Sequence, residues 1–145
     1  MFKPLLTKTS LQDLSFEQYS EVTQELATIN RQSIDDELAN LPAVFSYYYG
    51  LMVASKKSLD NSNIEVEHFS AHLSKQVRVG KDKLPAHAIA SEVNSDLDLK
   101  TLHNNVARCE EIYGFMRGVC QTLDHKKDML VQLSANKRQE TKLYQ

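Results

Sequence analysis

Residues 97–133 decide the fold of this chain, and they read LDLKTLHNNVARCEEIYGFMRGVCQTLDHKKDMLVQL, without a proline. Apolar side chains recur there at alternating steps of three and four residues, which places them on one stripe of an α-helix over about five heptads. The stripe consists of Leu99, Leu102, Val106, Cys109, Tyr113, Met116, Cys120, Leu123 and Leu130, with Lys127 as an interruption. A helix cannot bury such a stripe against itself, so we predict a second long helix as its partner, from the same chain or from a neighbour.

The composition is that of an ordinary globular protein with long helices. The chain has 145 residues, 41% of them apolar and 25% charged, with only 4 glycines and 3 prolines. This length predicts a single helical domain over residues 1–145, with an N-terminal arm at 1–14 and a flexible tail at 134–145. The fold we predict is all-α and elongated, with two long helices and short N-terminal helices, and it oligomerises through the long C-terminal helix.

Start and stop signals divide the first half of the chain into helices. A Ser-x-Glu-Gln start predicts a first helix over residues 16–31, and a second start signal opens a short helix that ends near Asn40. Pro42 fits the first turn of the next helix, which we expect to reach about Val77. The Asp-Asn-Ser-Asn run at residues 60–63 predicts a kink or a break in that helix, because such side chains compete for backbone hydrogen bonds.

A loop and a short helix precede the long C-terminal helix. Residues 79–84 are the best loop candidate in the chain, and Pro85 then starts a short helix over residues 86–93. Residues 94–96 form a turn, in which we expect Ser95 to cap the long helix that follows.

Charge is unevenly distributed, although the formal net charge is only -2. Residues 1–40 are mainly acidic, whereas two later segments are mainly basic, and local patches set the field that a partner feels. The second of these segments spans residues 126–142. The first lies at a predicted helix end and in the loop beyond it, which suits phosphate contacts, although cations there also complement the helix dipole. Its candidate nucleic-acid-binding residues are Lys75, Arg78, Lys81 and Lys83.

Patterns that carry catalysis or a metal are weak in this sequence. His68 and His72 lie four residues apart near Glu65, but their order is not HExxH and no third ligand is marked. The glycines are isolated, and no GxSxG is present. We therefore expect no enzyme, no catalytic residues, no metal and no cofactor, and we leave a metal-dependent helical enzyme as the most distant alternative.

The cysteines and the hydropathy favour a cytoplasmic protein. Cys109 and Cys120 are about 16 Å apart along a straight helix, which is too far for a disulfide. We interpret both as reduced core thiols in a reducing compartment. No run approaches the ~18 apolar residues that a membrane span requires, so we expect no membrane partner.

Two short patterns predict close packing. The rings of Tyr47, Tyr48 and Tyr49 point in three directions on a helix, so at least one must be partly exposed or at an interface. A core or subunit contact is favoured for them over base stacking. Gly114 and Gly118 form the sequence GFMRG, which favours the close approach of another helix at a cost of about 1 kcal/mol per glycine in helix propensity.

Four segments between residues 34 and 139 carry a family resemblance. They are a helix with clustered tyrosines (VFSYYYGLMVASKK), the basic HLSKQVRVGKDK, a short PAHAIASEVNSD and the long C-terminal helix. Their order resembles the recombination mediator proteins of tailed phages (the UvsY type). The resemblance implies a noncatalytic protein that binds single-stranded DNA, forms a ring of subunits and helps load a strand-exchange recombinase onto DNA covered by a single-strand binding protein.

The resemblance also implies site residues. In the family, basic residues that match Lys75 and Arg78 contact the DNA, although the family spacing is Lys-x-Arg and this chain has Lys-x-x-Arg. The family's C-terminal helix builds the oligomer, in the host cytoplasm if the protein is phage-encoded. The interface expected here consists of Leu99, Leu102, Val106, Tyr113, Met116, Leu123 and Leu130. A noncatalytic helical scaffold or virion connector that binds other proteins is the alternative, and it needs no basic patch.

Overall fold

The computed structural model describes residues 2–79 and 84–144, and within them it is all-helical, without a strand. The helices in this part of the chain are α1 (Phe16–Ala27), α2 (Ile34–Arg78), α3 (Ala86–Asn94) and α4 (Leu97–Leu143). The predicted all-α class with two long helices is confirmed. Among the described residues, no helix is both long enough and apolar enough to cross a bilayer.

Helix α2 is longer than the sequence indicated, because it passes through Pro42 without a break. The prediction of a separate short helix ending near Asn40 is therefore wrong. Proline removes one intrahelical hydrogen bond, but its side chain lies on the exposed side of α2. Every seventh residue on the neighbouring core face is buried, since Ile34, Leu41 and Tyr48 are only 5%, 7% and 0% exposed. Because buried residues both precede and follow the proline in sequence, tertiary packing stabilises one continuous helix.

The Asp-Asn-Ser-Asn run at residues 60–63 does not break α2 either. Leu59 and Ser62 are each 7% exposed, so this turn is packed against the rest of its unit. Asp60 accepts a hydrogen bond from Lys56 at 2.6 Å and so does not compete for the backbone.

Helix α4 is capped one residue later than predicted. The Asp96 Oδ1 atom accepts hydrogen bonds from the backbone amides of Asp98 and Leu99, at 2.9 and 3.0 Å. Ser95 instead ends α3, and its hydroxyl donates to the Glu92 carbonyl at 2.8 Å. Both serine and aspartate are good capping residues. The position at which α3 ends decides which of the two lies next to the free amides in the first turn of α4.

The far end of α4 and the end of α1 also differ from expectation. Helix α4 continues to Leu143, so most of the predicted tail at 134–145 is helical. No glycine or proline follows Gly118 to stop it, and the residues are good helix formers. Helix α1 ends at Ala27, earlier than predicted, and Thr28 closes it with an amide that donates to the Glu25 carbonyl.

The contacts divide the chain into two compact units, and each long helix contributes to both. Unit 1 contains Met1–Ala54 and Gly114–Gln145, whereas unit 2 contains Ser55–Tyr113. Unit 1 therefore holds α1, the first half of α2 and the second half of α4. Unit 2 holds α3 with the remaining halves of the two long helices.

The N-terminal segment packs into unit 1, where the sequence predicted an arm over residues 1–14. Leu6, Leu11 and Leu14 are only 4%, 6% and 1% exposed. The Leu5 amide donates to the Tyr48 hydroxyl at 3.1 Å, and the Tyr47 hydroxyl donates to the Leu6 carbonyl at 2.8 Å. Two of the clustered tyrosines thus fasten this segment to α2.

Part of the apolar stripe of α4, which the sequence predicted as a subunit interface, is buried within the single chain. Leu99, Met116, Leu123 and Leu130 are at most 1% exposed, and the other expected interface residues, Leu102, Val106 and Tyr113, are half-buried. Both units place α2 beside α4 in antiparallel order, as two contacts in each unit show. These contacts are Lys126–Glu37 and Lys137–Asp35 in unit 1, and Ser62–Cys109 and Lys56–Tyr113 in unit 2. A stripe with this period can pack against a helix of the same chain or against a helix of another chain. The formation of an oligomer therefore stays a prediction.

An ion pair shielded from solvent ties α2 to α4 in unit 1. Lys126 Nζ lies 2.8 Å from Glu37 Oε2, and the two side chains are only 15% and 20% exposed. The Asn30 amide donates to the other carboxylate oxygen, and Lys126 also donates to the Thr28 carbonyl at 2.8 Å. Burial alone would raise the pKa of Glu37, but the contact with Lys126 and the Asn30 amide outweigh it, so this pKa is lowered from its ordinary value.

We expect Glu37 to make the fold sensitive to acid. A carboxyl group whose pKa is lower in the folded than in the unfolded chain stabilises the fold above about pH 4.3, and this stability is lost as the pH falls through the folded pKa. Glu37→Gln should cost about 1–3 kcal/mol at neutral pH, since it leaves Lys126 half-buried without a counter-charge. It should also flatten the decline of Tm on the acid side. Thermal melts across the acid range measure both effects, with exposed Glu21→Gln as the control. An acid dependence identical to that of the parent would contradict the assignment.

Candidate nucleic-acid interface

The end of α2 presents two cations to solvent. Lys75 and Arg78 occupy its last turn, and both side chains are exposed. Residues three apart on a helix lie about 60° apart around its axis, so both side chains reach the same side. Lys81 and Lys83 fall outside the described residues. The candidate interface therefore consists of Lys75 and Arg78, which we call the α2 cation pair.

The apolar face of the same turns holds the α2 cation pair in place. Ile89, Val93 and Leu99 form a buried cluster in unit 2. The α2 side chains that pack against this cluster are Val66, Phe69, Leu73 and Val77. The two cations alternate with these packed residues along the helix, so the core of unit 2 fixes the backbone from which they project.

The α2 cation pair is not neutralised by the part of the chain that the structure describes. No ion pair within residues 2–79 and 84–144 engages Lys75 or Arg78. The second basic segment differs, because Lys126, Lys127 and Lys137 lie 2.8, 3.6 and 3.9 Å from carboxylate oxygens. Sequence alone ranked neither segment above the other in this respect, and the structure leaves the positive charge of Lys75 and Arg78 available.

Side chains, and not the backbone, supply the positive field at this site. The carboxyl end of a helix carries the negative end of the helix dipole, which does not attract phosphate. Phe69 is a nearby aromatic residue on α2, and it packs against the core cluster, which limits its surface for stacking on bases. The arrangement suits contacts with phosphate groups and carries no base-specific readout.

The two histidines, the other candidates for chemistry on α2, lie on the turns that precede this pair. His68 and His72 are exposed, and the Nε2 atom of His72 lies 3.1 Å from the Gln76 side-chain nitrogen. Across the described residues, no group of three or more His, Cys, Asp and Glu side chains could hold a metal ion. The two histidines therefore gain no third ligand there.

Both cysteines are free thiols, as the sequence predicted. The Cys109 sulfur lies 3.4 Å from the Ser62 hydroxyl in unit 2. Cys120 is buried in unit 1, and burial raises the pKa of its thiol, which disfavours the reactive thiolate. Cys120 therefore lacks the environment of a nucleophile.

The three clustered tyrosines have three different environments. Tyr48 is fully buried, and burial raises the pKa of its hydroxyl group despite the backbone hydrogen bonds. Tyr47 is half-buried against the N-terminal segment. Tyr49 is 48% exposed, and its ring stacks on that of Phe45 with centroids 6.0 Å apart. The expectation that at least one ring is partly exposed is confirmed.

The two glycines of GFMRG have different surroundings. A Cβ atom added at Gly118 would collide with the Tyr19 side chain of α1, whereas one added at Gly114 would meet nothing within 4 Å. The Tyr19 ring also stacks on Phe115 at 4.7 Å. Close approach, predicted for both positions, therefore occurs at Gly118 alone of these two.

Comparison with known proteins adds no assignment. A scan against protein-family models found no match, and searches of the curated proteins and of the solved structures found none either. A function for this chain therefore rests on its own residues and on the resemblance to the tailed-phage mediators noted above.

Proposed function

We propose that this protein is a noncatalytic recombination mediator that binds single-stranded DNA and helps load a strand-exchange recombinase onto DNA covered by a single-strand binding protein. One observation carries the DNA-binding part of the proposal. The α2 cation pair is exposed, is held on a packed helix, and has no carboxylate partner among the described residues. The order of segments that resembles the tailed-phage mediators supports the recombinase-loading part.

Weak and sequence-tolerant binding fits this role. Two cations on one subunit neutralise few phosphates, so a single subunit binds with low affinity and a shallow salt dependence. A homo-oligomer, such as a ring, would repeat the pair and raise the effective affinity without any new contact. A mediator must release DNA as the recombinase takes over, and many weak phosphate contacts allow this stepwise exchange.

The double variant Lys75→Ala plus Arg78→Ala is expected to lower the affinity for labelled oligo-dT. For every phosphate that a subunit no longer neutralises on a single strand, the slope of log K against log salt should become shallower by about 0.7. Fluorescence anisotropy titrations at several salt concentrations measure both quantities. Lys137→Ala plus Arg138→Ala removes the same two residue types from unit 1 and serves as the matched control. If the first variant binds like the parent at every salt concentration, or if both variants weaken binding equally, the α2 cation pair does not bind the DNA.

The loading step has its own experiment. Strand exchange by a recombinase on DNA that is already covered with a single-strand binding protein should be stimulated by the parent chain. The Lys75→Ala plus Arg78→Ala variant should stimulate it less, because it holds the strand less well. DNA binding without any stimulation would leave a single-strand binding function and would contradict the mediator role.

A helical scaffold or connector that binds other proteins is the second candidate. Exposed apolar side chains in unit 1 favour it, since Phe16, Tyr49 and Val53 are 64%, 48% and 51% exposed. This candidate predicts no binding to oligo-dT even at low salt, so the anisotropy titration separates it from the mediator.

A further inference from the structure

A stripe of apolar side chains on α2 is left uncovered in unit 1. Its members recur at steps of three and four residues on a single face over about 22 Å of helix. Tyr49 and Val53 are 48% and 51% exposed, Pro42 is exposed, and the remaining two are half-buried. This α2 stripe consists of Leu38, Pro42, Phe45, Tyr49 and Val53.

The α2 stripe lies beside the core face of the helix and does not belong to it. The core face is formed by Ile34, Leu41 and Tyr48. One half of the stripe forms the wall of a groove whose other wall is α4. The groove is lined by Leu38, Leu41, Pro42, Phe45, Leu123, Asp124 and Lys127. The stacked rings of Phe45 and Tyr49, inclined by only 21°, continue the apolar surface beyond the groove.

Charges of both signs border the groove. Lys127 Nζ lies 3.6 Å from a carboxylate oxygen of Asp124 and 3.7 Å from one of Asp128, and all three side chains are more than half exposed. Two carboxylates beside one lysine give this border a net negative charge, which repels a nucleic acid. The surface therefore suits a protein partner.

Mixed charge beside an apolar helical seam is complementary to a second copy of itself. In a two-fold contact the same patch is used by both subunits, so the lysine of one copy faces carboxylates of the other. A seam with steps of three and four residues is also the pattern with which two helices pack side by side. Both requirements are met by the α2 stripe and its charged border.

We propose that the α2 stripe is the contact between two copies of this chain, with Lys127 of each copy facing Asp124 and Asp128 of the other. The contact takes the place of the α4 stripe, in which Leu99, Met116 and Leu123 are already buried. The proposal rests on the proposed function in one respect only: the use of the contact is that an oligomer repeats the α2 cation pair. The contact itself would form without DNA.

Sedimentation or light scattering of the full chain without DNA tests the contact. The parent should exceed the mass of one chain, 16.5 kDa, at tens of micromolar. Tyr49→Glu should weaken self-association about 100-fold or more, since it places an unpaired carboxylate in the seam. Val53→Lys is a second variant with the same expectation. Met129→Glu is the matched control, because Met129 is also apolar and 50% exposed but lies outside the groove and the stripe.

Circular dichroism establishes that each variant is folded before its mass is read. A parent that is monomeric at these concentrations would overturn the proposal, as would equal dissociation by Met129→Glu or unchanged association in both stripe variants. Loss of oligo-dT binding by Tyr49→Glu with no change in mass would also overturn the proposal. It would mean that the stacked rings of Phe45 and Tyr49 form a DNA-binding surface. These readings are independent of the Lys75 and Arg78 titration, so either proposal can fail alone.

Discussion

Leu123→Asp is expected to remove most of the stability of the fold. Leu123 is only 1% exposed in unit 1, so an aspartate there would lose the packing of a leucine, worth about 2–5 kcal/mol, and would bury a charge as well. Domains of this kind have a total stability of only about 5–15 kcal/mol. The change should therefore lower Tm strongly or leave the chain largely unfolded. Urea unfolding followed by far-ultraviolet circular dichroism measures the loss.

Met129→Asp is the control for the Leu123 variant. It adds the same charge to the same helix at a position that is 50% exposed, and it should change stability by less than about 1 kcal/mol. If the two variants were equally stable, α4 would not pack through Leu123. If Leu123→Asp stayed folded and only self-association disappeared, Leu123 would lie in a subunit interface, as the sequence predicted.

Gly118→Ala is expected to destabilise the protein, although alanine is the better helix former. In an unobstructed helix the change would gain about 1 kcal/mol. Here the new Cβ would lie 3.0 Å from Tyr19 Cζ and closer still to the hydroxyl oxygen. Tyr19 would have to move aside, which would disturb its stacking on Phe115. The net cost should be about 1–3 kcal/mol, as for other overpacked sites.

Gly114→Ala provides the opposite sign in the same helix. Nothing lies within 4 Å of a Cβ at that position, so this variant should be more stable than the parent by up to about 1 kcal/mol. The two Tm values, measured side by side, form the test. A gain of stability in both variants would mean that α1 does not pack on Gly118.

The candidate interface was visible in the sequence only in part. The basic residues Lys75 and Arg78 and their place at a helix end follow from local sequence. The sequence could not show that Lys126 and Lys137 of the other basic segment have carboxylate partners, because those partners, Glu37 and Asp35, lie far away along the chain. Availability of charge is a property of the folded surface, so only the tertiary structure separates the two segments.

Capping and glycine packing show the same division. The sequence predicted Ser95 as the cap of α4, whereas the adjacent Asp96 is the observed cap. Both side chains are suitable, and the end of α3 at Ser95 decided between them. It marked Gly114 and Gly118 as sites of close approach without distinguishing them. The distinction comes from Tyr19, which reaches Gly118 from α1.

What the sequence by itself determined is the helical class and the buried face of α4. Both follow from short-range periodicity, which any helix of this composition must obey. Tertiary structure alone decided that α2 covers that face within the same chain, that Pro42 does not interrupt α2, and that the α2 stripe stays uncovered. The physical reason is that periodicity reports which side of a helix avoids water. It does not report which surface provides the cover, since the burial of apolar area is non-directional.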